Sequence, residues 1–541
     1  MIKKFGIKYT LKYYNLLQLV LFGIVLTLSN SHIFETFCSY CNINEQSPYY
    51  GFFKFLIPFS LIALWFTLAF NNCRDKRYTY LTGRKYGIDH RRFDRNYHDL
   101  VQYFKDSEPH KLDTTSFSQI NWREAKGIVF GLHNKRLIQI PSDSECNIAV
   151  FGPPGSGKTS GLAIINAMTF QGSVLAVDIK GDIYNFVSQH SDRKILRFCP
   201  DSATALQDSI HFDPLYGLDQ MDETDRKLYI ESISVILIPE EGGEAGNYFT
   251  SRGRKMFQGI THLISYNKPD ANFPDIVHAI LEGNIFDWVT KGMKSNCTTA
   301  KELLSSFYQN SERNVTSAYD ALCTALICYS NPVLDVLLTK SENNASIDLL
   351  EDGTDLYLQI SQEHLDTYAP LFTLLIQNLS TALTKRKDSS TGIKNRPVLL
   401  LLDEFPQLTF SYKLINSNLS TLRSKSVICM IIQQNLSQLE YRYQPAGVRS
   451  IIGNCNYQVI LGSNDINSSQ TFSDTFGVKK VLKMSNSKNM SKKKSATRSV
   501  QETTERVYPP EYFADLSSSG TLILYCKGKY CECKKLNCYK E

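Results

Sequence analysis

The chain has 541 residues, which is too long for one compact core, so two or three structural units are expected. Hydrophobic residues make up 43% and charged residues 21%, which is typical of a globular protein with membrane segments and excludes a largely disordered chain. The net charge of +6 gives no strong signature of nucleic-acid binding and is equally compatible with positive-inside membrane anchoring. The fourteen cysteines follow no repeating framework, so we expect most of them to be free.

Two apolar stretches near the amino terminus, about residues 16–29 and 55–70, predict transmembrane segments. Basic residues precede the first and follow the second, whereas the loop between them has few, so both ends are expected to be cytoplasmic. The alternative for the first stretch is a signal peptide, although no small-residue cleavage site follows it. Cys38 and Cys41 in the intervening loop either pair in an oxidising compartment or are two unrelated thiols.

A charged and aromatic connector, residues 74–125, leads from these segments to the first part of a nucleotide-binding domain, residues 126–218. This part begins with a predicted hairpin at 128–140 and continues with predicted strands at 173–178 and 195–198. Because strands alternate with helices, the pattern predicts a parallel, doubly wound α/β sheet.

A phosphate-binding loop is the most specific motif in the chain. The apolar run CNIAVF is followed by GPPGSGKTS and then by the start of a helix, which is the strand, loop and helix order that such a loop requires. Lys158 would reach the β- and γ-phosphates of ATP, and the Thr159 hydroxyl would hold Mg²⁺. The alternative is an ordinary glycine-rich turn. The residues expected to bind the nucleotide are Gly152, Gly155, Ser156, Gly157, Lys158, Thr159 and Ser160.

Residues 219–344 show apolar positions at helical spacing without a long β-like run, so they predict an all-α insertion domain. The sheet is expected to resume in residues 345–541, with strands at 355–360 and 398–402 and a helix at about 369–386.

A second decisive stretch is RPVLLLLDEF. Its apolar run predicts a strand buried on both faces, which delivers Asp403 and Glu404 to the carboxyl edge where open α/β sheets bind ligands. Asp403 would hold Mg²⁺ and Glu404 would polarise the attacking water. The alternative is a pair of helix N-cap residues after a strand.

Two more side chains are candidates for the same chemistry. The apolar run VICMII predicts a strand that ends in Gln433 and Gln434. A glutamine at the strand tip could contact both the γ-phosphate and the water and so sense hydrolysis; the alternative is a loop amide that satisfies backbone groups. Arg423 precedes that strand, and it either projects toward the nucleotide of a neighbouring subunit or lies on a solvated helix face.

Two later segments have less specific patterns. Residues 478–506 are rich in lysine and serine, which predicts a solvated flexible loop or else a contact with nucleic acid or a partner. Near the carboxyl end lie four clustered cysteines, whose spacing differs from the paired C-x-x-C of zinc ribbons, so strand thiols are favoured over a metal site. These are Cys526, Cys531, Cys533 and Cys538.

Several ordered motifs together resemble one family. They are GPPGSGKTSGL, VLAVDIKGDIY, HFDPL, LLLLDEFPQL, IIQQNLSQL and IIGNCNYQVILGSND, preceded by the two apolar stretches. In this order they resemble the coupling proteins of type IV secretion and conjugation, the TraG/TraD group of hexameric inner-membrane ATPases, over nearly the whole chain.

The resemblance implies a RecA-like P-loop domain interrupted by an all-α domain, with ATP and Mg²⁺ bound between the subunits of a hexamer in the bacterial inner membrane. The sensing glutamine of the family falls on Gln433 and its trans-acting arginine on Arg423, and the carboxyl end resembles a terminal β-hairpin. Many relatives have glycine or serine after the loop lysine, but Thr159 keeps the metal-binding hydroxyl.

The sequence therefore predicts a membrane-anchored ATPase that recruits and translocates DNA–protein complexes or effector proteins through a type IV secretion channel. The partners that the resemblance implies are a relaxase–DNA complex, single-stranded DNA and components of the channel. The alternatives are a DNA translocase of the FtsK group, a non-catalytic membrane docking scaffold and a monomeric nucleotide-dependent membrane enzyme.

Overall fold

The structure is a computed structural model that describes residues 121–540, with gaps at 203, 239–243, 309, 390–393, 409, 411 and 489–495, and a few isolated residues between 35 and 50. The predicted transmembrane segments, most of the connector, and Cys38 and Cys41 lie outside the described residues. Among the helices that are described, none is long and apolar enough to cross a membrane.

A large mixed sheet forms the centre of the unit that contains residues 121–477 and 506–540. Eleven of the described strands form it in the order β2-β1-β13-β12-β9-β3-β8-β7-β4-β6-β5. The strands of this sheet are β1 (Ile128–His133), β2 (Arg136–Ile140), β3 (Ile148–Phe151), β4 (Ser173–Asp178), β5 (Ile195–Phe198), β6 (Asp355–Gln359), β7 (Val398–Leu402), β8 (Val427–Gln433), β9 (Tyr457–Ile460), β12 (Thr521–Cys526) and β13 (Lys529–Lys534).

The seven strands from β9 to β5 in that order run parallel, and the other four pair antiparallel. Strands β3, β4, β6, β7 and β8 are buried at every position, as expected for apolar runs that helices cover on both faces. They lie where the sequence predicted them to within two residues. The prediction of a mixed α/β fold with a large parallel sheet is confirmed.

Helices cover both faces of the sheet and fill the long connection between β5 and β6. The helices of the described residues are α1 (Ile164–Thr169), α2 (Asp182–His190), α3 (Ala205–Asp208), α4 (Glu223–Leu237), α5 (Glu244–Asn267), α6 (Phe273–Glu282), α7 (Ile285–Lys294), α8 (Thr298–Ser305), α9 (Glu312–Leu326), α10 (Pro332–Leu337), α11 (Ile347–Glu351), α12 (Leu365–Thr384), α13 (Tyr412–Thr421), α14 (Leu436–Gly453), α15 (Ile466–Phe476) and α16 (Pro510–Ser518).

The connection between β5 and β6 contains helices α3 to α11 and, among its described residues, no strand longer than an isolated bridge. Helix α5 packs against α4, α8 and α9. Its apolar residues Met256, Phe257 and Ile260 are fully buried there, so the helical spacing seen in the sequence marks a packed helical core. The division of the chain into domains at residues 219 and 344 stays a prediction.

The two faces of the sheet bury separate cores. Alternate residues of β8 divide between them: Cys429 and Ile431 pack with the helices of the β5–β6 connection, and Ile428, Met430 and Ile432 pack with α1 and the amino-terminal hairpin. Because side chains alternate along a strand, the face of any residue near the end of β8 follows from its position.

The basic segment differs from the predicted flexible loop. It contains two strands, β10 (Val478–Lys488) and β11 (Ala496–Arg506), which pair only with each other among the described strands. The lysines and serines dominate the composition, but β10 contains two valines and β11 contains one valine and three threonines, and both residue types favour extended backbone.

The terminal cysteines lie on and beyond the hairpin of β12 and β13. Cys531 and Cys533 share one face of β13, where their sulfurs are 3.5 Å apart, and Cys538 is buried beyond the strand. In the part of the chain that the structure describes, no group of three or more histidine, cysteine or acidic side chains could hold a metal ion.

Candidate functional site

The glycine-rich loop lies at the carboxyl end of β3, in the middle of the sheet. Gly155 and Gly157 have φ values of 75° and 94°, where a residue with a Cβ atom would be strained. The chain then enters a π-helical turn, Thr159–Ala163, which continues as α1. Such turns are rare and often occur at functional sites. The local backbone is therefore the strand, loop and helix that the motif predicted.

Lys158 is buried beneath this loop. Its Nζ donates hydrogen bonds to the carbonyl oxygens of Gly152 at 2.8 Å and Pro153 at 3.3 Å. Burial lowers the pKa of Lys158, and the nearby carboxylates of Glu404 and Asp403 partly oppose that effect. The loop thus holds a desolvated cation within the electrostatic field of two acidic side chains, where the attraction for a polyphosphate is strong.

Asp403 follows β7, two strands away from β3 in the sheet. Its Oδ2 accepts a hydrogen bond from the Thr159 hydroxyl at 3.5 Å, so the structure brings the two predicted magnesium ligands together. Burial raises the pKa of Asp403 to about 6, and the charge of Glu404 adds to the effect. A carboxyl group with a raised pKa gains from a nearby cation, because the cation compensates the charge that burial disfavours.

Glu404 is held by its backbone and by one side chain. Its φ of 47° places it in the left-handed region, and its N–H donates to Asp403 Oδ1 at 3.0 Å. Its carboxylate accepts from the amide Nε2 of Gln434, at 3.2 Å for Oε1 and 3.3 Å for Oε2. A strained backbone and a bidentate contact together fix the direction of this carboxylate.

The predicted sensor Gln433 does not make that contact. It is the last residue of β8, is fully buried, and both polar atoms of its amide lack a hydrogen-bond partner. By alternation it shares the face of Cys429 and Ile431. The sequence analysis placed Gln434 beside Gln433 at the end of the strand, but the resemblance assigned the sensing role to Gln433. Asn435 caps α14, so Gln434 is the only residue between the strand and the cap.

Arg423 lies at the opposite edge of the sheet, where the parallel strands begin. It belongs to a short helical turn, Leu422–Lys425, just before β8, and its charge acts on the Cys146 thiol near the start of β3. The structure therefore does not bring Arg423 together with Lys158 and Asp403 of the same chain. Its action on the nucleotide of a neighbouring subunit stays a prediction.

The residues present fit magnesium and a phosphate chain. A hydroxyl and a carboxylate oxygen, from Thr159 and Asp403, are the hard ligands that Mg²⁺ prefers. The Ser156 hydroxyl within the loop is buried without a hydrogen-bond partner, so it could donate to a phosphate oxygen.

A second carboxylate lies beside this site, and the sequence analysis gave it no role. Asp178 ends β4, which pairs with β7 in the register Val177 to Leu402, so Asp178 and Asp403 end neighbouring strands. Asp178 accepts a hydrogen bond from the Tyr184 N–H at 2.8 Å, and burial raises its pKa. It also raises the pKa of Asp403 slightly.

A comparison with protein families shows to which family this chain belongs. Residues 121–541 match the family described as "Type IV secretory system Conjugative DNA transfer". The chain belongs to this family.

Two curated relatives are similar over part of their length. The VirD4 protein of Rhizobium radiobacter is 24% identical over 321 residues, which are 58% of this chain and 46% of VirD4. The conjugal transfer protein TraG of Escherichia coli is 20% identical over 424 residues, 71% of this chain and 65% of TraG. The chain thus spans about half to two thirds of the length of these relatives.

Solved structures of the conjugative coupling protein TrwB share the fold. An unbound form has a TM-score of 0.60 at 17% identity and covers 80% of this chain and 96% of that chain. TrwB with the ATP analogue ADPNP has a TM-score of 0.60 at 15% identity, covering 80% and 94%. TrwB with ADP and Mg²⁺ has a TM-score of 0.56 at 16% identity, covering 75% and 88%.

Proposed function

We propose that this family member is a membrane-anchored P-loop ATPase that couples ATP hydrolysis to the transfer of DNA–protein complexes or effector proteins through a type IV secretion channel. The observation that supports this most directly is the convergence of Lys158, Thr159, Asp403 and Glu404 at one edge of the sheet. These are the groups that phosphoryl transfer requires.

Each side chain has a role that its position supports. Lys158 would exchange the carbonyls of Gly152 and Pro153 for β- and γ-phosphate oxygens. Thr159 and Asp403 would hold Mg²⁺, which neutralises charge on the phosphates when it is bound. Glu404 would orient the attacking water and accept its proton, and Gln434 would keep the carboxylate in place.

The remaining predicted roles concern the assembly. We propose that the chain forms a homohexamer in the bacterial inner membrane and that Arg423 of one subunit stabilises charge at the nucleotide of the next. The family description refers to DNA transfer, and the names of TraG and TrwB refer to conjugation, which supports cargo that includes DNA. A relaxase–DNA complex and channel components are the proposed partners.

The test compares ATP binding with ATP turnover in the purified full chain. Lys158→Ala is expected to weaken both, whereas Glu404→Gln should keep ATP binding and lose turnover, because only the proton acceptor is removed. Lys301→Ala, on an exposed position of α8, is the matched control for the loss of a lysine. Turnover that survives both site variants would contradict the assignment.

The same measurement separates the rival functions. A docking scaffold would bind ATP without turnover in the wild type, with or without single-stranded DNA. Recovery of a nicking enzyme with an attached strand, after co-purification from cells that carry the transfer system, would support conjugation over a chromosome translocase of the FtsK group.

A further inference from the structure

The segment that follows β13, residues 535–540, crosses the start of the P-loop helix, and we call this segment the strap. The Cys538 N–H donates a hydrogen bond to the carbonyl oxygen of Ser160 at 3.0 Å. Gly161 lies directly beneath the strap, since a Cβ atom there would come within 2.7 Å of the Leu536 carbonyl oxygen. The strap is therefore packed against the two residues that follow the magnesium ligand Thr159.

A partly buried lysine anchors the strap at its other end. Lys535 Nζ donates to the carbonyl oxygens of Leu461 and Leu516 at 3.0 Å and of Ser517 at 3.3 Å. Three carbonyl acceptors saturate the ammonium donors, so this side chain holds the strap rather than a ligand. With an anchor at each end, the strap has a fixed path beside the P-loop.

The strap forms one wall of a cleft. The cleft has a volume of about 550 Å³, and its other walls are α2 and the turn before β1. Aromatic rings line one side: Phe186 stacks on His190 at 4.1 Å, and Tyr539 of the strap meets Phe186 edge-on at 5.5 Å. The remaining lining residues carry polar groups and are Arg123, Asp182, Asn185, Gln189 and Cys538.

The chemistry of this cleft suits a nucleoside. An aromatic wall offers stacking to a planar base, and the Asp182 carboxylate and Asn185 amide offer partners for ribose hydroxyls or ring nitrogens. A volume of this size is within the range of small-ligand sites. An acidic residue beside the one arginine disfavours a second polyphosphate there.

The position of the cleft decides which nucleoside it would take. On a P-loop the lysine reaches the β- and γ-phosphates, so the nucleoside lies beyond the other end of the phosphate chain. Asp403 contacts Thr159 from the sheet, whereas the strap contacts Ser160 and Gly161. Cys538 and Tyr539 of the strap also line the cleft, so the cleft begins next to the residues that follow the loop.

We infer that the cleft between the strap and α2 holds the base and ribose of the nucleotide whose phosphates bind the P-loop, with Tyr539 as the stacking residue. This inference rests on the proposed nucleotide site and deepens it. It makes the carboxyl-terminal strap part of the ligand site and gives Tyr539, which is 65% exposed, a binding role.

The test uses two probes on the purified full chain: ATP, and inorganic tripolyphosphate, which lacks the nucleoside. Tyr539→Ala is expected to weaken ATP binding about tenfold, the effect of one lost stacking contact, and to leave tripolyphosphate binding unchanged. Tyr441→Ala, which removes a 92% exposed tyrosine on α14, is the control and should change neither. Unchanged ATP binding, or equal weakening for both probes, would overturn the inference.

A fluorescence measurement gives an independent readout. In Tyr539→Trp, tryptophan emission should change on addition of ATP but not of tripolyphosphate, and the chain has only three native tryptophans to subtract. An identical response to both probes would contradict the inference. Failure of the proposed function would give a different result from failure of this inference. In that case Lys158→Ala would bind tripolyphosphate with the same affinity as the wild type.

Discussion

Two adjacent glutamines at the end of β8 have opposite environments. Gln434 reaches the carboxylate of Glu404, whereas the amide of Gln433 is buried without a hydrogen-bond partner. The motif IIQQN contains both residues, and the apolar run before them does not show where the strand ends. Their assignment therefore required the register of β8, which the structure supplies.

Gln434→Ala is expected to lower kcat about tenfold with little change in KM, because the freed Glu404 carboxylate loses its orientation while the phosphate contacts remain. Steady-state ATPase assays test this. Gln438→Ala, one turn into α14, is the control. An increase in KM without a decrease in kcat would contradict the positioning role of Gln434.

Gln433→Met keeps the side-chain length and removes an unsatisfied buried amide, so we expect it to stabilise the protein by about 1–3 kcal/mol. Thermal unfolding followed by circular dichroism would show a raised Tm. If Gln433 is the hydrolysis sensor that the family resemblance implies, the same variant loses ATPase activity. Retained activity would assign the role to Gln434 alone.

Asp403 predicts a pH dependence of stability. Its pKa is raised to about 6 in the folded protein, so the folded state binds more protons than the unfolded state between about pH 4 and pH 6. The stability of the fold therefore decreases as the pH rises through this window. Asp403→Asn should raise Tm at pH 7.5 and have little effect at pH 4.5. A raised Tm of equal size at both pH values would contradict this cause.

At the scale of elements, an ion pair between a partly buried arginine and a fully buried carboxylate joins β6 to β4, the strand that ends in Asp178. Arg193, after α2, contacts the Asp355 carboxylate at 2.5 and 2.6 Å and also donates to the carbonyl oxygens of Phe170 and Gly172. Asp355 begins β6 and is fully buried. The pair ties the amino-terminal ends of β4 and β6 together, opposite the catalytic edge.

Arg193→Leu leaves the Asp355 carboxylate buried without its partner, so we expect a loss of about 3–5 kcal/mol in the free energy of unfolding. Arg193→Leu combined with Asp355→Leu should lose less, since no uncompensated charge remains. Urea unfolding of both variants measures the difference. A double variant that is less stable than the single variant would show that the pair itself, rather than the orphaned charge, carries the energy.

Strand positions were predictable because long apolar runs such as VLLLL fit only a strand covered on both faces. The basic hairpin β10–β11 was not predictable, because the many lysines and serines obscure the pattern of valines and threonines that favours extended backbone. The path of the strap could not be predicted from the sequence. Lys535 and Cys538 donate hydrogen bonds to backbone carbonyl oxygens, and such bonds leave no residue pattern.

At the scale of the whole molecule, the predicted site is split between the two edges of the sheet. Lys158, Asp403 and Glu404 lie at the carboxyl edge, and Arg423 lies at the amino edge of the same chain. A single subunit therefore does not contain a site with all four. The resemblance predicted that Arg423 acts at the nucleotide of a neighbouring subunit, and this role stays a prediction that the separation of the two edges makes testable.

Mixing two inactive variants tests this prediction. Lys158→Ala and Arg423→Ala are each expected to lose turnover, whereas mixed rings should regain activity at about a quarter of their interfaces, where an intact loop meets an intact arginine. The measurement is the ATPase rate of mixtures reassembled at equal concentration. Mixtures that stay as inactive as the separate variants would contradict a role of Arg423 between subunits.

The central sheet also sets an order for synthesis of the chain. Strand β1 pairs with β13 through Leu132 and Lys534, and β9 pairs with β12, so the early hairpin joins the parallel sheet only after the last strands have been made. Until β12 and β13 have left the ribosome, the edges of β1 and β9 offer unpaired backbone groups to other nascent chains. Cells that produce this protein therefore need to shield the edge of β1 through the synthesis of about 400 residues, and the edge of β9 only for the much shorter interval before β12 is made.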